Sequence, residues 1–250
     1  MSDTKHLQLP LDRYMFSLKD YRLLSDARGI LLYRCMQRFG VNYPARSFQD
    51  GGMETRNQRR YGITDPAQAR RYGYRLPGTT NARAPMPAQD NAPKVAALLS
   101  GEGTTSVNGK RVPAGGCAGE AQRALTGGQV VPDIAQSMGM KSWEQSSADY
   151  RVEQVFARWS DCMKSAGFSY RTPLESSRDR NLVREMSPLQ IRTATADASC
   201  KQKHNVIGTW AAVEAAYQEV MIQRNKAALE LLRQANLARL QRAATVVTAR

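Results

Sequence analysis

Histidine is nearly absent from this chain: His6 and His204 are the only two in 250 residues. No HExxH, G-x-S-x-G or recognisable cysteine–histidine motif accompanies them, so no local signature of a metallohydrolase or a nucleophile-and-base enzyme can be read. His204 stands near Asp197 on a helical stretch, a setting that usually belongs to a surface residue and seldom to a general base. No two cysteines have a CxxC-like spacing, which removes the common structural zinc sites, and no metal or cofactor is expected. Gly101-x-Gly103 and Gly109-Lys110 miss the phosphate-loop spacing, and Arg111 stands where a Ser or Thr would hold magnesium. No apolar run approaches the length of a membrane span, and the opening MSDTKHLQLPLDRY lacks the apolar core of a signal peptide.

Acidic residues are scarce as well. The 22 Asp and Glu face 36 Lys and Arg, giving a formal charge of +14 and a pI near 10.0. Such a balance favours anionic partners: a cell-wall polyanion, an anionic membrane surface, or nucleic acid. Aromatic residues make up 7% and are not interleaved with Lys and Arg in any single-strand or RRM-like pattern, so nucleic acid is not the expected partner.

What the chain does have is one pattern used twice. Cys35-Met36, Gly40, Tyr43 and Cys162-Met163, Gly167, Tyr170 both read C-M-x-x-x-G-x-x-Y. Each closes a segment of helical periodicity: Leu24, Ala27, Leu31 and Cys35 in the first, Val152, Val155, Trp159 and Cys162 in the second. Glycine just past such a run can take the left-handed conformation that caps a helix. Cys117 follows the first copy and Cys200 the second. Three pairings of four cysteines are open, and this order favours Cys35 with Cys117 and Cys162 with Cys200. Disulfides imply an oxidising compartment, and each such loop contributes about 4 kcal/mol in the chain-entropy description.

The fold class expected is mainly α: a helical body with two disulfide staples, a small β-hairpin, a long irregular arm and a long C-terminal helix. Residues 1–44 read as a lead-in and first helix, from about Tyr21 to Phe39. Residues 45–94 are rich in Arg, Gly and Pro and too poor in aliphatics to own a core. Within that arm, Arg60-Tyr61 and Arg71-Tyr72 with Tyr74 are candidate binding residues for a polyanion or sugar, although the favoured reading is a short capped helix whose tyrosines pin the arm to the body. Thr64-Asp65-Pro66 and Gly73 frame a short helix between them. Residues 95–208 read as the body, with a hairpin near 104–112 centred on Asn108-Gly109. Capping patterns open helices at Ser142–Gln145, Thr172–Glu175 and Ser187–Gln190. Residues 209–250, free of Gly and Pro, read as one helix roughly 60 Å long. Its distal half is expected to project, with Leu229, Leu232, Leu237 and Leu240 as a docking edge or a homo-oligomer contact.

The pieces LPLDRYMFS, YRCMQRFGVNYP, RRYGITDPAQARRYGY, NGKRVPAGGCAGEAQ, WSDCMKSAGFSYRTP and ATADASCKQKHNVIGTWAAVEAAYQ resemble a family of secreted proteins and lipoproteins of actinobacteria. The resemblance covers nearly the whole chain and implies export, often with a lipobox cysteine ahead of the LPLD-like segment. Cys35, Cys117, Cys162 and Cys200 sit where that family has its cysteines. The expected function is therefore a non-enzymatic, extracytoplasmic binding or scaffold protein of the cell envelope, docking a protein or peptide partner through helical surfaces. An export signal would then have preceded Met1; the alternative localisation is cytoplasmic. The alternative functions are an envelope hydrolase acting on wall polymers, since carboxylate pairs need no local signature, and a basic nucleic-acid-binding protein.

Overall fold

The computed structural model describes residues 4, 6–44, 48, 52–77, 92–103, 105–179, 182 and 186–249. It is mainly α, with ten helices among those residues, one two-stranded hairpin and two disulfides. A 3-10 helix, Pro10–Tyr14, precedes α1 (Leu18–Arg38), α2 (Pro66–Tyr72) and α3 (Ala92–Ser100). Strands β1 (Ser106–Val107) and β2 (Lys110–Arg111) follow, then α4 (Gly116–Thr126), α5 (Ile134–Ser147) and α6 (Tyr150–Ser165). The chain ends in α7 (Pro173–Arg178), α8 (Pro188–Lys203), α9 (Val206–Arg224) and α10 (Lys226–Thr248).

Local chemistry sets most of these boundaries. Ser17 caps α1 and Asp20 returns the bond to the Ser17 N–H, closing a capping box. Ser187 accepts from Gln190 N–H with Pro188 as the first helical residue of α8. Asn108 and Gly109 both have positive φ, the conformation a two-residue hairpin turn requires.

The repeated motif is one device in both places. At the end of α1, Val41 N–H donates to Met36 O and Gly40 N–H to Gln37 O; at the end of α6, Phe168 donates to Met163 and Gly167 to Lys164. These are the two bonds of a Schellman cap, with Gly40 at φ 71° and Gly167 at φ 87°. The methionine of each copy is fully buried beneath that cap, and the preceding cysteine reaches a neighbouring helix. Cys35 bonds Cys117 on α4, and Cys162 bonds Cys200 on α8, the pairing expected.

The chain divides into two compact units. One comprises Met1–Met15, Asp50–Thr79 and Ile134–Leu229. Its core joins α6 (Val152, Val155, Phe156, Trp159, Met163) to α9 (Val206, Ile207, Trp210, Val213), with Leu7 and Tyr61 added. Trp210 sits at the centre, its ring 4.7 Å from Tyr61 and 5.1 Å from Phe156, with Nε1 donating to Ser146 Oγ. The other unit comprises Phe16–Gln49, Thr80–Asp133 and Glu230–Arg250. There Leu32, Met36 and Phe39 of α1 pack with Val95 and Leu98 of α3 and Ala121 of α4. Gly116 lets α3 and α4 meet: a Cβ there would lie 2.4 Å from Leu99 O.

Three expectations change, and for the arm the choice between its two readings is narrowed. The body read as 95–208 is split, because residues up to Asp133 belong with α1 and those from Ile134 with the arm. The described part of the arm, 52–77, docks into the first unit through buried Tyr61, Ile63 and Ala69; residues 78–91 lie outside the described residues. Ser142 does not open a helix. It is buried inside α5, and the helix ending at Cys162 and its neighbours instead starts at Asp149, whose side chain caps Arg151 N–H. The C-terminal stretch is two helices broken at Asn225, and its distal half does not project. Leu229 and Leu232 are buried, and Leu240, Ala243, Val246 and Val247 pack with Phe16, Leu24, Ala27 and Leu125. Of the expected docking edge only Leu237 is exposed. A stripe that looked thin on the helix is sufficient because α10 meets small residues such as Ala27, which permit a close approach.

Candidate functional site

Glu214 on α9 is fully buried and yet carries the most heavily bonded carboxylate among the described residues. Arg60 approaches it with Nε at 3.1 and 3.0 Å from the two oxygens and with Nη2 as well; Tyr61 OH donates at 2.7 Å. Ser142 Oγ lies 2.9 Å away, and Gln218 Nε2 donates at 2.9 Å from one turn along α9. Gln218 Oε1 in turn accepts the Leu11 N–H, tying the 3-10 helix to the same network. Arg60 Nη2 also donates to Gly139 O. Helix α5 comes this close to α9 because its inner face is Ala135, Gly139, Ser142 and Ser146, all small and all buried. Burial works against the Arg60 charge, but Glu214 outweighs it and raises the guanidinium pKa above its ordinary value. Burial and the same carboxylate push the Tyr61 hydroxyl far up, so it stays a donor.

A second buried pair fastens the arm from the other side. Lys201 Nζ bonds Asp197 Oδ2 at 3.1 Å and the carbonyl of Ile63 at 3.2 Å, while Trp159 Nε1 donates to Asp197 Oδ1. Burial pushes the Asp197 carboxyl up and Lys201 opposes that shift. Tyr74 packs on Ile63, Ala69, Ala194 and Ala198 beside this pair.

Two of the concavities on this unit bear on the site. The first, of about 400 Å³, is lined by Leu9, Leu11, Asp12, Met15, Arg56, Asn57, Arg60, Gln136, Gly139, Met140, Trp143, Glu144 and Gln218. The second, of about 590 Å³, runs between α5 and α9; Met138, Ala216, Tyr217, Val220 and Met221 supply its apolar lining. Lys141, Arg151 and Arg224 supply its charge, and no Asp or Glu lines it. Arg151 pairs with Asp149, whose carboxyl its guanidinium holds well below the usual range; Lys141 and Arg224 have no ion pair among the described residues. Val220 is 49% exposed within this groove.

Of the residues singled out in the sequence, Arg60 and Tyr61 meet at Glu214, so they belong to the packing of the arm, and only Arg60 reaches a cavity. Arg71 and Tyr72 lie on α2, the guanidinium stacked 5.1 Å over the neighbouring ring, and line neither concavity. Glu214 and Gln218 went unread, because a hydropathy pattern places such residues outside, and Ser142 was read only as a helix start. The signal that could have found them is the small-residue stripe of α5, which demands a close neighbour. Among the described residues no group of three or more His, Cys, Asp or Glu could hold a metal ion. No described helix is long and apolar enough to cross a membrane. The two disulfides indicate an oxidising environment. Compared with known protein families, curated proteins and solved structures, the chain matches none.

Proposed function

We propose that this is an extracytoplasmic, non-enzymatic binding protein of the cell envelope, which docks an acidic amphipathic segment of a partner protein in the α5–α9 groove. The observation that carries this reading is the groove itself: an apolar floor containing two methionines, three cations around it and no acid among its lining residues. Met138 and Met221 suit a surface that adapts to a helical ridge, and the cations select a partner bearing Asp or Glu beside its apolar face. A concave seat favours a peptide ridge over a flat bilayer. The charge of +14 steers any such partner from a distance. The disulfides and the resemblance to exported actinobacterial proteins support the compartment, as a secreted protein or a lipoprotein.

The test is fluorescence anisotropy with a labelled synthetic helix that carries Leu at i, i+3, i+4 and i+7 and Glu on the flanks. Binding should weaken at least tenfold in the double variant Lys141→Glu/Arg224→Glu and should fall with added salt. Equal binding by wild type and variant, or equal binding of a neutral control helix, would overturn the assignment.

The hydrolase reading keeps one observation in its favour, since Asp12 and Glu144 line the same cavity. Release of soluble fragments from purified wall polymer by the wild type, lost in Asp12→Asn/Glu144→Gln, would establish it; no release by the wild type would exclude it for that substrate.

A further inference from the structure

The 400 Å³ cavity shares no lining residue with the α5–α9 groove, and its polar groups are set out in a particular way. Arg60 uses Nε and Nη2 on Glu214 and Gly139, so its guanidinium is fixed in place, while Nη1 makes no hydrogen bond and is not buried. Asp12 spends Oδ2 on Leu9 N–H, at 2.7 Å, and Asn57 Nδ2, at 2.6 Å; its Oδ1 takes no bond and is likewise open. The Glu144 carboxylate has no partner among the described residues. One fixed guanidinium nitrogen and two open carboxylates thus share a cavity whose apolar wall is Leu9, Leu11, Met15, Met140 and Trp143, with Arg56, Asn57, Gln136, Gly139 and Gln218 completing the lining.

From this arrangement we infer that the cavity binds a hydrophobic α-amino acid as its zwitterion. The carboxylate accepts a charge-assisted hydrogen bond from Arg60 Nη1, the one guanidinium nitrogen not spent on Glu214 or Gly139. The ammonium lies toward Asp12 and Glu144. The side chain enters between Met15, Met140 and Trp143. Charge decides between this ligand and simpler ones. A plain anion pairs with Arg60 Nη1 but leaves the open Asp12 and Glu144 carboxylates without a counter-charge. A plain cation leaves Arg60 Nη1 unpaired and approaches against the charge of the whole chain. A zwitterion satisfies both ends. The volume sits in the lower part of the range for small-molecule sites, which suits a single residue better than a polymer.

Isothermal titration of the full chain with L-phenylalanine, N-acetyl-L-phenylalanine, L-phenylalaninamide and the tripeptides Phe-Ala-Ala and Ala-Ala-Phe tests this. Phenylalanine should bind, and the acetyl and amide derivatives should bind at least tenfold more weakly. The tripeptides, each of which keeps only one charged group beside the phenylalanine, should be weakened alike; a tripeptide binding as well as the free amino acid would assign the cavity to a chain terminus and overturn the inference. Glu144→Gln should weaken phenylalanine about fivefold. Met140→Trp, on a side chain 58% exposed, should fill the cavity and abolish binding with the circular dichroism melt unchanged. No heat with phenylalanine at millimolar concentration, or binding indifferent to Met140→Trp, would also overturn it. None of these outcomes depends on Lys141 or Arg224, so the docking groove stands or falls separately.

Discussion

Replacing Arg60 with Ala isolates the buried carboxylate on which the first unit is assembled. Glu214 would keep Tyr61, Ser142 and Gln218 as donors but lose its counter-charge at a buried position, where only the space Arg60 vacates beside the cavity could admit water. Breaking such a pair from one side costs about 3–5 kcal/mol, whereas an exposed pair is worth about 0–1 kcal/mol. Arg60 itself keeps 22% of its side chain exposed, but the group left behind sets the cost, so the larger figure applies. The chain offers a selective readout: Trp143, Trp159 and Trp210, all of its tryptophans, lie in the first unit. Urea unfolding followed by tryptophan fluorescence should therefore lose about 3 kcal/mol or more in Arg60→Ala. Adding Glu214→Gln removes the charge, and the double variant should recover part of the stability. A loss under 1 kcal/mol in Arg60→Ala, or no recovery in the double variant, would refute the reasoning.

Three further outcomes are expected. Cys162→Ser/Cys200→Ser should lower the stability read by tryptophan fluorescence by about 4 kcal/mol, and Cys35→Ser/Cys117→Ser should cost about as much in the circular dichroism melt with a smaller change in fluorescence; the reverse pattern would disprove the assignment of the bridges to separate units. Truncation after Gln223 should destabilise the second unit by several kcal/mol, about 2–5 per large buried side chain removed, and an unchanged thermal midpoint would show that α10 is not part of its core. Asp149→Ala should cost about 1 kcal/mol at pH 7 through the lost cap of α6. Because the folded Asp149 pKa is depressed, its contribution is present above the unfolded value near 4 and fades as pH falls below it, so wild type and variant should converge in strong acid.

How much of this was legible follows from distance along the chain. The cysteine–methionine–glycine motif, the Ser187 helix start and the Asn108-Gly109 turn were read correctly, each being satisfied within about six residues by bonds that the local sequence supplies; the helix start at Thr172 also holds, but its side chain makes no capping bond. The cysteine pairing followed from order along the chain. Ser142 misled because a capping pattern says only that a helix could start there; the buried face of α5 required the helix to run through it. The C-terminal leucines misled for a related reason. A thin stripe has no meaning until the surface opposite it is known, and Ala27 and Leu125 provide one that fits.

The sequence by itself determined the helical class, the two staples, the oxidising setting they imply and the excess positive charge, all of which depend on residue type and short spacing. Only the tertiary structure decided where the charges end up. Arg60 and Glu214 are 154 residues apart, and Leu11 and Gln218 are 207 apart. Nothing near Glu214 in the chain marks it as buried, since a carboxylate enters a core only where distant donors converge to replace its water. That convergence also leaves Arg60 Nη1, Asp12 Oδ1 and Glu144 facing one cavity, and leaves Lys141 and Arg224 unpaired beside another: groups that compose a site through their partners' geometry, which no spacing in the sequence encodes.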